Sequence, residues 1–112
     1  MPHRYRKKPV VIEAFQMTFE RRQDNSQWPE WLNRAWNMEP HEVGSLSPED
    51  YPRSSGMDRL VIHTLEGRMM VGWGDYIIKG VADELYPCRE DIFQNTYEKV
   101  EDGNGFEESH ES

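Results

Sequence analysis

The chain has 112 residues, of which 36% are hydrophobic and 12% aromatic, and it carries a formal net charge of −8. This length corresponds to one domain with a core made from a few large side chains, and the composition excludes a wholly disordered chain. A single cysteine excludes an internal disulfide. No apolar run reaches the about 20 residues that a membrane helix requires, and the N-terminus lacks a secretory signal. We therefore expect a soluble cytoplasmic protein without a membrane partner.

The N-terminal segment is basic and leads into the first predicted strand. Arg4, Arg6, Lys7 and Lys8 form a basic cluster in a chain whose remainder is acidic. Duplex nucleic acid usually requires a concentrated basic face, so we interpret the cluster as a solvated flank of the strand, with nucleic-acid contact as the alternative. Residues 7–17, KKPVVIEAFQM, place apolar side chains on both faces, which predicts a strand that is central or covered on both sides.

A tryptophan-rich helix is predicted next, after a polar connection, TFERRQDNS, over residues 18–26. In WPEWLNRAW, residues 28–36, apolar side chains recur at helical spacing: Trp28, Trp31, Leu32, Ala35 and Trp36. Such a stripe is typical of the face with which a short helix covers a sheet. The alternative is an aromatic platform for a ligand.

Residues 37–59 are predicted to be a long loop. They contain three Pro, two Gly and four Ser without periodicity. A connection of this length is either functional or mobile. Because it has neither the glycine spacing of a phosphate-binding loop nor a metal-ligand pattern, it indicates no cofactor.

A β meander and a closing helix complete the chain of predicted elements. LVIHTL and RMMV flank the tight-turn signal Glu66-Gly67, GWGD supplies a second turn, and YIIKGV and ELYPC predict further strands. REDIFQNTYEKV, residues 89–100, predicts a helix with Glu90 and Asp91 in its first turn.

These elements define the predicted fold class and domain organisation. The fold is α+β: a curled or barrel-like antiparallel sheet of four to five strands packed by two short helices. Residues 1–100 form a single domain that contains the long loop, and residues 101–112, EDGNGFEESHES, form an acidic flexible tail.

Cys88 is a candidate nucleophile because it precedes the closing helix, whose N-terminus would stabilise a thiolate. His63 is the histidine predicted to lie on a strand and is the candidate base. However, Glu90 and Asp91 add negative charge beside the thiol, and no cysteine-enzyme signature surrounds it. We therefore predict a buried structural cysteine and no catalytic residue. The histidines and the cysteine show no metal-ligand spacing, which predicts no metal site.

The GWGD turn and its surroundings form a candidate ligand site. Its glycines lead into a strand rather than a helix, so the segment is not a phosphate loop, and we interpret the glycines as turn residues. The functional alternative is a rim of aromatic and charged side chains that holds a nucleobase or another small planar ligand. The candidate residues are Trp73, Asp75, Tyr76, Lys79 and Tyr86.

Four segments together resemble a widespread family of short proteins in tailed bacteriophages and prophages: KKPVVIEAFQ, WPEWL, TLEGRMMVGWGDYIIKGV and ELYPCREDIFQNTYEKV. The resemblance covers most of residues 7–100, and the last two segments are specific in order and spacing. It departs at Arg89-Glu90, where the family commonly has Lys-Pro before DIF, in the 37–59 loop and in the acidic tail. The resemblance implies a phage-infected bacterial cell as the setting, and it implies no catalytic or binding residues.

Two functions follow as predictions. The first is a non-enzymatic phage accessory protein that binds and modulates a host protein, such as a host defence or nucleic-acid-processing factor, because negative surfaces attract basic ones. The alternative is a small-ligand binding protein that takes a nucleotide-type molecule on the rim of Trp73, Tyr76 and Tyr86. Both predict the bacterial host cytoplasm as the location.

Overall fold

The computed structural model describes residues 10–50, 59–100 and 105–108. Eight strands and three helices form within them, which confirms the α+β class. In chain order they are β1 (Val11–Gln16), α1 (Phe19–Gln23), α2 (Glu30–Trp36), β2 (Leu46–Pro48), β3 (Leu60–Thr64), β4 (Gly67–Val71), β5 (Tyr76–Lys79), β6 (Leu85–Cys88), α3 (Glu90–Thr96), β7 (Tyr97–Lys99) and β8 (Gly105–Glu108).

The strands are divided between two antiparallel sheets. One has five strands in the order β6-β5-β1-β8-β7, and the other has three in the order β2-β3-β4. The structure thus differs from the single curled or barrel-like sheet that the sequence predicts. The β3–β4 hairpin pairs with β2 in a sheet of its own, and neither sheet closes into a barrel within the described part of the chain.

β1 lies in the middle of the five-stranded sheet, as its apolar side chains on both faces predict. Ile12 and Ala14 face a cluster under α3, while Phe15 and the following Met17 face a second, larger cluster. The larger cluster is completed by α2 and by side chains of β2, β3 and β4. A one-residue slip of β1 would exchange the two sets, so burial on both faces specifies its register.

The tryptophan-rich helix covers a sheet, as predicted. Leu32 and Ala35 of α2 are buried in the larger cluster, and Trp31 and Trp36 pack against it. Trp28 is 6% exposed, its indole Nε1 donates a hydrogen bond to the carbonyl oxygen of Arg21 at 2.7 Å, and its ring meets Trp36 edge to face. These indoles therefore contribute to the core, which leaves no exposed aromatic platform at Trp28.

Three local predictions differ from the structure. The polar connection at 18–26 contains α1, which begins where the Thr18 hydroxyl accepts a hydrogen bond from the Arg21 amide. The long loop contains the short strand β2, which pairs with β3. The closing helix ends at Thr96 rather than continuing to residue 100, because Tyr97–Lys99 pairs with β8.

The predicted acidic tail also differs from the structure at residues 105–108. They form β8, which pairs with β1 on one side and with β7 on the other. Gly105 permits the close approach, since a Cβ atom there would lie 2.6 Å from Cγ1 of Val11 and 3.3 Å from the carbonyl oxygen of Ile12. The basic cluster at Arg4, Arg6, Lys7 and Lys8 lies outside the described residues, as does the rest of the tail.

Ser45 gives a stability prediction for the region just before β2. Its side chain is fully buried, and its hydroxyl has no hydrogen-bond partner in the described part of the chain. Because a buried unpaired hydroxyl is costly, Ser45→Ala is expected to raise the free energy of unfolding by about 1 kcal/mol in urea denaturation. The exposed Ser26 supplies the control, since Ser26→Ala should change the value by less than about 0.5 kcal/mol. Destabilisation by Ser45→Ala would contradict the prediction.

Candidate functional site

The five residues of the predicted ligand rim lie in different places. Tyr76 and Tyr86 both project from the α3 face of the five-stranded sheet. The Tyr76 ring stacks on Phe93 with 3.9 Å between ring centroids. Burial, followed by a hydrogen bond with Tyr97, raises the pKa of the Tyr86 phenol well above its usual value. Both tyrosines therefore serve mainly to pack α3 on the sheet.

The other three rim residues do not join them. Lys79 projects from the opposite face of β5, where its Nζ atom lies 3.3 Å from a carboxylate oxygen of Glu13 and 3.4 Å from one of Asp83. Asp75 accepts a hydrogen bond from the Gly72 amide at 2.8 Å and closes the turn. Trp73 packs edge to face on Phe19 of α1. Among the described residues, the five side chains do not form one surface that a single ligand could contact.

Cys88 and His63 are likewise separated by the fold. Cys88 lies on β6 beside the cluster under α3, and its thiol donates a weak hydrogen bond to the carbonyl oxygen of Arg89 at 3.6 Å. Burial, with further contributions from the Asp75 and Asp91 carboxylates, raises the pKa of the thiol, which opposes thiolate formation. His63 lies on β3 in the other sheet. The geometry thus supports a structural role for Cys88.

A different site emerges where the two sheets meet. A groove of about 730 Å³ lies between the β3–β4 turn and the β5–β6 turn. Its walls are formed by residues 43–44 before β2, residues 63–66, Met69 on β4 and residues 82–86. We call this feature the acidic groove. Its volume lies within the range of about 300–1,000 Å³ that is typical of ligand sites.

The charges of the acidic groove have one sign. Glu66, Asp83 and Glu84 contribute carboxylates, and no Lys or Arg side chain is among the described residues that line it. Glu84 accepts a hydrogen bond from the Ala82 amide, which fixes the β5–β6 turn, and Asp83 shares Lys79 with Glu13. Such a groove attracts cations and repels phosphate groups.

Apolar atoms contribute most of the surface that lines the acidic groove. Leu65 at the β3–β4 turn is 86% exposed, and Met69 is 39% exposed. Val43, which also lines the groove, is exposed as well, whereas Leu85 is buried. Clustered exposed apolar side chains are typical of a binding surface, since scattered ones need no such explanation.

A pair of histidines lies at one end of the acidic groove. The rings of His41 and His63 meet edge to face with 5.0 Å between their centroids. Burial, followed by the charges of His41 and Arg68, lowers the pKa of His63, which disfavours the charged form of this imidazole. Within residues 10–50, 59–100 and 105–108, no group of three or more His, Cys, Asp or Glu side chains is arranged to hold a metal ion.

Sequence reasoning missed the acidic groove because its walls come from separate parts of the chain. Tyr86 is the one residue of the predicted rim that also lines it. The available signal is Leu65 in TLEG, at the end of the predicted strand LVIHTL, together with the two acids of ADE at 82–84. Their proximity depends on the packing of β3 and β4 against β6, a long-range contact that no local pattern encodes.

Comparison with known proteins adds no relative from which a role could be transferred. No protein-family model, no curated protein and no solved structure matches the chain. Among the residues that the structure describes, no helix has the length and apolar character needed to cross a membrane. The chain is therefore defined by its fold and groove: an α+β protein of two antiparallel sheets with an acidic, partly apolar groove between their turns.

Proposed function

We propose that this chain is a non-enzymatic binding protein that captures a basic protein of a bacterial host. The observation that carries the proposal is the imbalance of available charge. The chain has 21 acidic residues against 13 basic ones, and four of the basic residues belong to the cluster at residues 4–8. An acidic surface of this kind favours association with a positively charged partner and accelerates it at low ionic strength.

Contacts within the chain leave the excess of negative charge in place. Most cations of the described residues already contact a carboxylate, a backbone carbonyl or an aromatic ring of the same chain: Arg21, Arg22, Arg34, Arg59, Arg68, Lys79 and Arg89. Each ion pair also occupies a carboxylate, so these contacts leave the net negative charge unchanged, while Glu66 and Glu98 have no ion pair among the described residues. The surface that remains for a partner is predominantly negative.

The biological setting rests on the resemblance to short proteins of tailed bacteriophages and prophages. It supports a phage accessory protein that acts in the cytoplasm of the infected bacterium and modulates a host defence or nucleic-acid-processing factor. Such host factors carry basic surfaces because they bind nucleic acid, and an acidic protein of this size can compete for those surfaces.

A nucleotide-type ligand is the second candidate, and the geometry gives it less support. Its predicted residues point to both faces of β5, and the acidic groove opposes phosphate groups. Saturating ligand raises the melting temperature of a protein that binds it, so thermal-shift screening tests this candidate directly. We expect no change in the melting temperature with nucleoside mono-, di- or triphosphates.

The proposal predicts salt-dependent capture of a basic host protein. The immobilised protein is incubated with bacterial lysate at about 20 mM and about 300 mM salt, because screening weakens attraction between exposed charges. We expect one or a few basic proteins at low salt, strongly reduced at high salt. Each candidate is then purified, and its dissociation constant is measured by calorimetry.

An unrelated acidic protein of equal net charge, immobilised at the same density, controls for ion exchange. A captured set identical to that of the control would contradict the proposal, as would binding that is insensitive to salt.

A further inference from the structure

Building on the proposed function, we infer that the acidic groove is the docking site of the partner and takes a short extended segment in which Lys or Arg alternates with apolar residues. The positive charge of the partner rests on the proposed function, whereas the place at which the partner binds is argued from the groove itself.

The shape of the groove favours a segment over a larger surface. It lies between two turns, and its volume of about 730 Å³ suits a few residues of peptide. Leu65, Met69 and Val43 are exposed and offer apolar contacts to side chains that enter the groove. An extended peptide presents alternate side chains in opposite directions, so apolar residues can enter while their neighbours remain at the rim.

The carboxylates of the acidic groove determine which residues of the bound segment can alternate with the apolar ones. Glu66 stands at one turn, and Asp83 and Glu84 stand at the other. The Glu66 side chain has no ion pair among the described residues, the Glu84 carboxylate accepts the hydrogen bond of the Ala82 amide, and Asp83 contacts Lys79 at 3.4 Å. Carboxylates on both walls complement a Lys or Arg side chain and reject an acidic one.

The probes are three fluorescein-labelled nine-residue peptides of equal length that alternate Leu with Arg, Leu with Glu, or Ser with Arg. Fluorescence polarisation measures their affinity for the full chain at low salt. We expect the Leu-Arg peptide to bind at least about tenfold more tightly than either of the others, since it alone satisfies both the apolar and the charged contacts.

Two variants test the site itself. Glu66→Gln/Glu84→Gln removes two rim charges yet keeps an oxygen at position 84 that can accept from the Ala82 amide. Leu65→Ser removes an apolar contact from a side chain that is 86% exposed, so folding should be unaffected. Each should weaken Leu-Arg binding about five- to tenfold. The matched controls are Glu20→Gln/Glu98→Gln and Ile92→Ser, which change exposed residues outside the groove and should leave the affinity unchanged.

Methionine methyl resonances locate the peptide without any substitution. Met69 and Met70 are adjacent and equally exposed, at 39% each, but only Met69 lines the acidic groove. With methyl-labelled methionine, we expect the Leu-Arg peptide to shift the Met69 resonance and to leave those of Met70 and the buried Met17 in place.

The outcomes separate this inference from the proposed function. Capture of a basic host protein that both groove variants leave unchanged would overturn the docking site while the proposed function stands. Equal affinity for the Leu-Glu peptide would overturn the charge assignment. A variant with Arg4, Arg6, Lys7 and Lys8 replaced by Gln serves as a further test, because binding that is detectable only in that variant would show that this chain fills its own groove and would overturn the assignment to a partner.

Discussion

Replacing Phe93 by Ala is expected to lower the free energy of unfolding by about 3–5 kcal/mol. Phe93 is 2% exposed and is the residue that joins α3 to the five-stranded sheet. Its ring stacks on Tyr76 at 3.9 Å and on Tyr97 at 5.0 Å, and meets Phe106 edge to face at 5.1 Å. Truncation removes these contacts and leaves a cavity that three rings from β5, β7 and β8 surround.

Urea denaturation followed by tryptophan fluorescence measures this loss and also tests the single-domain prediction. Trp28, Trp31 and Trp36 belong to the other cluster, on the far side of β1. If residues 1–100 unfold as one unit, Phe93→Ala shifts the midpoint reported by these distant indoles. Ile92→Ala, at an exposed neighbour, should cost less than about 1 kcal/mol. An unchanged tryptophan transition in Phe93→Ala would show two independently unfolding halves.

Ending the chain after residue 104 is expected to destabilise the protein by about 3 kcal/mol or more, since it removes a strand together with the half-buried Phe106 side chain. β8 supplies the hydrogen-bonding partner of both β1 and β7, and Phe106 packs against the cluster under α3. Without it, β7 has no neighbour in the sheet and one edge of β1 is exposed.

The matched control ends after residue 108 and so keeps β8. Thermal and urea denaturation of the two truncated proteins distinguish a structural strand from an acidic tail. Equal stability of both would show that residues 105–108 contribute nothing to the sheet.

Local patterns in the sequence predict most of the elements because each depends on neighbours along the chain. The alternation around Ile12 and Phe15 predicts a covered strand, and the spacing of Trp28, Leu32 and Ala35 predicts a helix with a buried face. Glu66-Gly67 marks the β3–β4 turn, where Gly67 has a positive φ of 121°. In each case the physical cause is short-range.

The division into two sheets, the strand β8 and the acidic groove depend on contacts between distant segments of the chain. The β3–β4 hairpin belongs to a separate sheet because its apolar side chains are needed to cover one face of β1, which no turn signal reveals. Residues 105–108 read as tail because two of the four are acidic, yet they pair as a strand with β1. The same distinction applies to the candidate sites. The aromatic rim is predicted from a local pattern, whereas the acidic groove joins four segments of the chain.

The position of β8 has a consequence for biosynthesis. β1 is made early but pairs with β5 and with β8, which is separated from it by nearly the whole described chain. At about 5–20 residues per second, a ribosome needs roughly 5–20 seconds to reach residue 108 after completing β1. During that interval the side of β1 that β8 later occupies has no strand to pair with. Completion of the larger sheet therefore has to await synthesis of β8, and its slow step is the search of β1 for a strand that is made much later.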